Sequence, residues 1–130
     1  MEGFTKNILI IDDNDAINYF NELMLRSSNK VDGVKSVTSC DKGLLYINRL
    51  KQEGKELPDV ILLDINMPRM TGWEFCEILK STQILDQKKT HVYILTNSLS
   101  DTDFSQSKNL NFVHGYIKKP LTKNNLSTFL

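Results

Sequence analysis

Residues 60–75 read VILLDINMPRMTGWEF and residues 8–15 read ILIIDDND, and these two stretches decide the fold. In each, a run of apolar residues ends in aspartate. A strand that is apolar at every position is buried on both faces, which is typical of a parallel sheet covered by helices. A third run, VYILTNS at residues 92–98, has the same form but ends in Thr96 and Asn97. We therefore predict a parallel sheet with polar residues at the carboxyl ends of its strands.

The segments around these runs alternate between strand and helix patterns, which predicts an α/β fold. Two weaker strands are expected at the edges of the sheet, and one helix, over 100–109, holds few apolar residues and is expected to be the least stable. The first helix is expected to bury a stripe of Ile17, Phe20 and Met24, with Asp13 or Asn14 as its N-cap. The predicted strands are 7–12, 34–39, 59–64, 91–96 and 112–118, and the predicted helices are 16–26, 41–54, 71–85, 100–109 and a short one after Pro120.

Length and charge exclude several classes of protein. The chain has 130 residues, with 16 Lys and Arg against 16 Asp and Glu, so its formal net charge is zero. This length predicts one domain over residues 1–130. A zero net charge argues against a chain that mainly coats DNA or an anionic membrane, and no apolar stretch is long enough to span one. We expect a cytoplasmic protein with no direct DNA binding and no membrane association.

The cysteines and histidines indicate no further site. Cys40 and Cys76 form neither a CxxC pair nor a zinc-ligand pattern, so reduced and partly buried thiols are expected. His91 and His114 neighbour no other metal-ligand residue at a useful spacing, and we interpret them as ordinary structural or surface residues.

Chemistry-bearing residues collect where the predicted strands end. Asp12 and Asp13 follow the first strand, Asp64 ends the third, Thr96 ends the fourth and Lys119 follows the fifth. Two carboxylates about 4 Å apart repel each other by roughly 4 kcal/mol at an effective dielectric constant near 20. A hard divalent cation such as Mg²⁺ relieves that repulsion, since it prefers carboxylate oxygens. Helix capping alone would explain Asp12 and Asp13, but it would not explain the full set.

The strings ILIIDDND, VILLDINMPRMTGWEF, VYILTNS and GYIKKP, in this order, resemble the receiver domain of bacterial two-component response regulators. The resemblance covers nearly the whole chain. It implies a flavodoxin-like, doubly wound, five-stranded parallel sheet of order 2-1-3-4-5 with about five helices. It also implies a stand-alone receiver, similar to chemotaxis regulators, with no output domain.

The resemblance implies a role for each matching residue. Asp64 would be the phosphoacceptor, and Mg²⁺ would be held by Asp64, by Asp13, by Asp12 through water and by the main-chain carbonyl of Asn66. Thr96 and Lys119 would contact the phosphoryl group, and the Lys119–Pro120 peptide is expected to be cis. Thr96 and Tyr116 would form the conformational switch, with an aromatic residue that has no switch role as the alternative for Tyr116. Three more residues are expected to modulate the site: Met67, Asn97 and Ser98.

The chain departs from the family pattern at two positions. Asn97 stands where relatives usually have a small residue, which is expected to change access to the phosphoryl group. Thr71 stands where aspartate is common, and there we expect only an altered turn or helix cap.

The implied function is a phosphorylation-activated signalling switch that accepts a phosphoryl group from a sensor histidine kinase or phosphotransfer protein. Such a protein is not a classical enzyme, although it catalyses its own phosphoryl acceptance and slow autodephosphorylation. Its output would pass through an unknown downstream protein, with a homodimer also possible. The alternative is a pseudo-receiver, an interaction module that phosphorylation does not control.

Two enzymatic or ligand-binding alternatives fit less well. A haloacid-dehalogenase-type phosphatase would use Asp13 and Asp15, but this chain has Ile17 where that family has threonine. A flavodoxin-like nucleotide binder would place a phosphate against acidic residues that repel it. Beyond the site, the last 27 residues carry Lys108, Lys118, Lys119 and Lys123 and no Asp or Glu. A solvated surface explains such a distribution, and a basic face toward an acidic partner is the alternative hypothesis.

Overall fold

The computed structural model describes residues 5–86, 88–102 and 104–130. Five parallel strands form one sheet in the order β2-β1-β3-β4-β5, which confirms the predicted flavodoxin-like topology. The two weak strands, β2 and β5, lie at the edges as predicted. The strands are β1 (Lys6–Ile11), β2 (Val31–Val37), β3 (Val60–Asp64), β4 (His91–Thr96) and β5 (Val113–Lys118).

Four α-helices connect or follow the strands in the described part of the chain. They are α1 (Asp15–Arg26), α2 (Cys40–Gln52), α3 (Gly72–Thr82) and α4 (Lys123–Leu126). Asn14 is the N-cap of α1, with its side chain accepting the N–H of Ile17. No helix among the described residues is long and apolar enough to cross a membrane.

The helix predicted over 100–109 is wrong. Two short 3₁₀ helices, Leu99–Asp101 and Phe104–Ser107, occupy this region. Serine, threonine, asparagine and aspartate have low helix propensity because their side chains bond to nearby backbone groups. Such bonds are present here: the Thr102 hydroxyl donates to the carbonyl of Ser98 and the Ser107 hydroxyl to that of Phe104.

The strand positions were predicted better than their bounds. β2 begins at Val31, three residues before the predicted start, because its pairing with β1 extends back to Lys6. α3 ends at Thr82, three residues before its predicted end, because Gln83 adopts the left-handed conformation with φ 51°.

Two apolar layers cover the two faces of the sheet. One layer packs Leu9, Ile11, Ile61, Leu63 and Ile94 against α2 and α3, and the other contains Ile8, Ile10, Leu62 and Leu95 together with Leu25 of α1 and Leu126 of α4. Cys40 and Cys76 are free and buried in the first layer, as expected.

The buried face of α1 differs from the predicted one. Its buried residues are Asn18, Asn21 and Leu25, whereas Phe20 is 42% exposed and Ile17 and Met24 are only partly buried. The apolar stripe is therefore rotated away from the sheet, and two amides take its place. These amides are buried because they bond to main-chain groups: Asn18 donates to the carbonyl of Asp12, and Asn21 accepts the N–H of Leu121.

Candidate functional site

Three carboxylates meet where β1 and β3 end. The acidic cluster (Asp12, Asp13 and Asp64) has one oxygen from each residue within 4.8 Å of the others. Asp12 is fully buried and Asp64 is 3% exposed, whereas Asp13 faces solvent. β1 and β3 are adjacent and parallel, so both strands end at the same edge of the sheet and bring these residues together. Two buried carboxylates at this distance repel each other unless a cation lies beside them.

Lys119 supplies one such cation. Its ammonium lies 3.0 Å from Asp12 Oδ2 and 3.5 Å from Asp64 Oδ2, and its side chain is 8% exposed. Burial lowers the pKa of Lys119, but its hydrogen bond to Asp12 and the charges of Asp64 and Asp12 outweigh burial, so the pKa lies above its usual value. The ammonium therefore stays charged between the two acids. The Lys119–Pro120 peptide is cis, as expected.

The ionised form of Asp64 is disfavoured even though Lys119 lies beside it. Burial is the largest influence and raises the pKa of this carboxyl group, and the negative charge of Asp12 raises it further. Lys119 and the N–H of Asn66, which donates to Asp64 Oδ1 at 3.2 Å, act in the opposite direction without cancelling the increase. An additional positive charge at the acidic cluster would favour the ionised form of Asp64.

All the polar groups of Asp12 have partners. Its carboxylate accepts the N–H of Asn14 at 3.0 Å and the ammonium of Lys119. Its own N–H donates to the carbonyl of Val37 at 3.2 Å, and its carbonyl accepts the side-chain amide of Asn18 at 2.8 Å. Asp12 is therefore held rigidly, with both its backbone and its side chain fixed.

Thr96 lies at the end of β4 in a network of hydroxyl groups. Its Oγ1 donates to the carbonyl of Ser98 at 3.1 Å and accepts the hydroxyl of Thr102 at 3.0 Å. Its carbonyl accepts the N–H of Lys119 at 2.8 Å, which ties the ends of β4 and β5 together. Thr96 and Thr102 are both buried.

The loop after Asp64 packs tightly against the start of α3. The N–H of Gly72 donates to the carbonyl of Ile65 at 3.1 Å. A Cβ atom at Gly72 would lie 2.7 Å from the carbonyl oxygen of Asp64 and 2.8 Å from the Cα of Ile65, so only glycine fits. Thr71 caps α3 and forms a capping box with Glu74, which agrees with the expected effect of threonine at this position.

A cleft of about 620 Å³ lies between the loop after Asp64 and the segment that follows β4. Asn66, Thr96, Asn97 and Ser98 line it, so four of the predicted site residues, including the departure Asn97, share one opening. Met67 has a different environment, since it is 6% exposed and packs in the core.

Tyr116 lies on β5, paired in register with Ile94, and is partly buried. Its hydroxyl group donates to Ser107 Oγ at 2.6 Å, and its ring meets that of Phe104 edge to face with centroids 4.5 Å apart. The Trp73 ring lies 6.3 Å away. Tyr116 therefore joins β5 to the second 3₁₀ helix and to α3.

The sequence profile of the response regulator receiver domain matches residues 8–130. The chain belongs to this family. Among curated relatives, the receiver domain is 29% identical over 118 residues to the probable methanogenesis regulatory protein FilR2 of Methanothrix harundinacea, covering 88% of this chain and 72% of that protein. It is 30% identical over 125 residues to the cell cycle response regulator CtrA of Brucella ovis, covering 92% of this chain but 46% of CtrA.

Solved structures share this fold over nearly the whole receiver domain. A two-component response regulator from Cytophaga hutchinsonii superposes with a TM-score of 0.88 at 32% identity, covering 98% of this chain and 95% of that one. A CheY-like receiver domain protein from Methanospirillum hungatei gives a TM-score of 0.73 at 26% identity, covering 95% and 89%.

Receiver domains bind Mg²⁺ at an acidic pocket, and the acidic cluster forms such a group here. The donor set fits this ion, because it consists of oxygen atoms alone. Two of its carboxylates are buried, and the raised pKa of Asp64 shows that its negative charge needs a further cation nearby. Lys119 covers one side of Asp12 and Asp64, while Asp13 remains exposed to solvent.

Three residues at or next to this site were not predicted: Thr102 and Asn18 bond to Thr96 and Asp12, and Asn21 bonds to the main chain of Leu121. Thr102 bonds directly to Thr96, but it lay within the helix that was wrongly predicted. Asn18 and Asn21 were missed because they interrupt an apolar pattern. The available signal was their spacing, since Asn14, Asn18 and Asn21 fall on one side of a helix that begins beside Asp13.

Proposed function

We propose that this receiver domain is a phosphorylation-activated switch in which Asp64 accepts a phosphoryl group from a sensor histidine kinase or a phosphotransfer protein. The observation that carries this proposal is the position of Asp64 between the Lys119 ammonium and two further carboxylates. A structural ion pair needs one acid and one base. Three acids around one lysine leave excess negative charge that a packing role does not explain.

In the proposed reaction, a carboxylate oxygen of Asp64 attacks the phosphorus atom of the donor. A P–O bond forms and the P–N bond to the donor histidine breaks, with the bonding electrons returning to the imidazole. Lys119 would offset the charge gathered on the phosphoryl oxygens, and the Thr96 hydroxyl would turn from the Ser98 carbonyl to donate to one of them. Hydrolysis of the acyl phosphate by water restores Asp64, which makes the switch self-resetting but not a classical enzyme.

The residues proposed to hold Mg²⁺ are the acidic cluster and the main-chain carbonyl of Asn66, with Asp12 acting through water. When bound, the ion supplies positive charge that neutralises phosphoryl oxygens during transfer. The protein residues have the remaining roles: Asp12 and Lys119 fix the orientation of the site, and burial limits the access of water to Asp64.

The proposed output uses Thr96 and Tyr116. A phosphoryl group on Asp64 would draw the Thr96 hydroxyl away from Ser98 and Thr102, and Tyr116 would exchange its bond to Ser107 for a position nearer the core. The region that changes would be the face formed by β5 and the second 3₁₀ helix. Asn97 and Ser98, which line the cleft, are proposed to control access to the phosphoryl group, and Met67 to act through packing of the loop.

The exposed lysines near the end of the chain suggest the kind of partner that it binds. Lys108, Lys118 and Lys123 are exposed, unlike Lys119. We infer that they offer a basic face to an acidic surface of a downstream protein or of a second copy. Substituting Lys108 and Lys123 by Glu should leave phosphorylation intact and weaken that association.

The competing proposal is a pseudo-receiver, which would keep the fold and ignore phosphate. Incubation with Mg²⁺ and beryllofluoride separates the two, with Trp73 fluorescence as the readout because Trp73 lines the cleft. We expect beryllofluoride to change the Trp73 fluorescence of the wild type when Mg²⁺ is present. In Asp64→Ala, beryllofluoride should cause no change. If the wild type and Asp64→Ala respond to beryllofluoride in the same way, the result supports the pseudo-receiver.

A further inference from the structure

The inner face of α1 begins with two amides instead of apolar side chains. Asn18 is 4% exposed, Asn21 is fully buried, and Leu25 continues the same stripe away from the site. Leucine has nearly the shape of asparagine and would pack on the apolar sheet without burying a polar side chain. Buried amides at both positions therefore need a specific partner.

Asn18 bonds to the segment that carries Asp12. Its Nδ2 donates to the carbonyl of Asp12 at 2.8 Å and lies 3.5 Å from the carbonyl of Val37. The Val37 carbonyl also accepts the N–H of Asp12. Asn18 thus closes the junction between the ends of β1 and β2, directly below the acidic cluster.

Asn21 bonds to the segment that carries Lys119. Its Oδ1 accepts the N–H of Leu121 at 3.1 Å. Proline has no N–H, so Leu121 offers the first main-chain donor after Lys119, whose own N–H is held by Thr96. The backbone around Lys119 is therefore fixed on one side by β4 and on the other by α1.

Each amide uses only one of its two polar ends. Asn18 Oδ1 and Asn21 Nδ2 have no hydrogen-bond partner within the described ranges. An unmet polar atom in the interior is unfavourable, so the bonds that are formed must matter to the molecule. Both are made to the main chain, and each fixes a segment that presents a charged group to Asp64.

We propose that Asn18 and Asn21 are positioning residues, a claim that rests on the proposed phosphorylation of Asp64. Through them, α1 holds Asp12 and Lys119 in fixed relation across the site. Asn18 supports the metal-binding side, since it orients the backbone next to Asp13. Asn21 supports the ammonium side, since it orients the chain that follows Lys119.

The test uses Asn18→Leu and Asn21→Leu, with Leu25→Val as the matched control. The control loosens the same stripe of α1 but removes no hydrogen bond. The Mg²⁺ dissociation constant is measured from Trp73 fluorescence. The intact mass over time, at several acetyl phosphate concentrations, gives the maximal rate constant of phosphorylation and the half-saturating acetyl phosphate concentration.

Asn18→Leu should weaken Mg²⁺ binding about 10-fold or more, as loss of a supporting hydrogen bond does at other metal sites. Asn21→Leu should leave Mg²⁺ binding within about 2-fold. It should lower the maximal rate constant of phosphorylation by about 10-fold at an unchanged half-saturating concentration, because Lys119 acts on charge that develops during transfer. Leu25→Val should match the wild type in all three quantities.

Two results would overturn the proposal: leucine variants that match the wild type, or a Leu25→Val variant that reproduces their losses. A wild type that neither binds Mg²⁺ nor gains a phosphoryl group removes the proposed function as well, whereas an active wild type with unaffected variants removes this proposal alone. If a leucine variant does not fold, hydrogen exchange in the wild type decides: the Leu121 amide should be strongly protected, and exchange at the rate of an exposed loop contradicts the proposal.

Discussion

Gly72 sets the distance between the loop after Asp64 and α3. Any side chain there would meet main-chain atoms of Asp64 and Ile65, which cannot move without displacing the site. At Gly115 the nearest obstacle is instead the ring of Tyr93 at 3.3 Å, a side chain that can shift. The glycine that begins α3 and the glycine on β5 therefore differ in what they constrain.

Gly72→Ala is expected to destabilise the domain by about 1–3 kcal/mol, the usual effect of overpacking a tight contact. Gly115→Ala should have a smaller effect. Urea unfolding of both variants measures the difference. Equal losses, or no loss at Gly72, would mean that the loop adjusts more readily than its contacts indicate.

The stacked rings of His91 and His114 lie 3.8 Å apart, where β4 and β5 begin. Burial lowers the pKa of His91, and His114 and Lys6 lower it further. The unfolded chain therefore binds a proton more readily than the folded one at this residue. The resulting stability is complete above the ordinary histidine pKa of about 6.5 and is lost as pH falls through the lowered folded pKa.

His91→Gln should make the free energy of unfolding less dependent on pH between about pH 7.5 and 5.5, a window above most carboxyl titrations. Urea unfolding at several pH values, compared between variant and wild type, measures this. A variant with the same slope as the wild type would show that His91 does not contribute to it.

At the scale of elements, α3 depends on its first turn. Thr71 accepts the N–H of Glu74 at 3.2 Å, and Glu74 accepts the N–H of Thr71 at 2.8 Å. This capping box starts the helix directly after the loop that carries the site. Aspartate, the residue more common at this position in the family, can also cap a helix.

Thr71→Ala should therefore lower stability by about 1 kcal/mol, and Thr71→Asp should keep most of it. Thermal unfolding compares the three proteins. A Thr71→Asp variant as unstable as Thr71→Ala would show that the cap is not what threonine contributes.

Elements were predictable where burial alone decides them. Strands β1, β3 and β4 were predicted because runs such as Ile8 to Ile11 are apolar on both faces. The orientation of α1 was not, since its buried positions hold Asn18 and Asn21, whose partners are main-chain groups of distant segments. The family motifs predicted Asp12, Asp64 and Lys119, which the fold brings together, but Thr102 belongs to no motif and is brought to Thr96 by the tertiary fold.

At the scale of the whole molecule, charge at the acidic cluster is linked to folding. A cation that binds the folded chain only stabilises it by about 2.7 kcal/mol at 100 times its dissociation constant. Mg²⁺ should therefore raise the melting temperature, and Asp13→Asn should abolish most of the rise. Asp32→Asn, at an exposed position on β2, is the matched control and should respond as the wild type does. An equal rise in the Asp13 variant would place Mg²⁺ elsewhere.

The central claim is that Asp64 carries the phosphoryl group. The most direct measurement is mass spectrometry of the intact chain after incubation with Mg²⁺ and acetyl phosphate, followed by peptide mapping. The wild type should gain the mass of one phosphoryl group, located at Asp64, and Asp64→Ala should gain none. A wild type of unchanged mass, or a gain that persists in Asp64→Ala, would contradict the account.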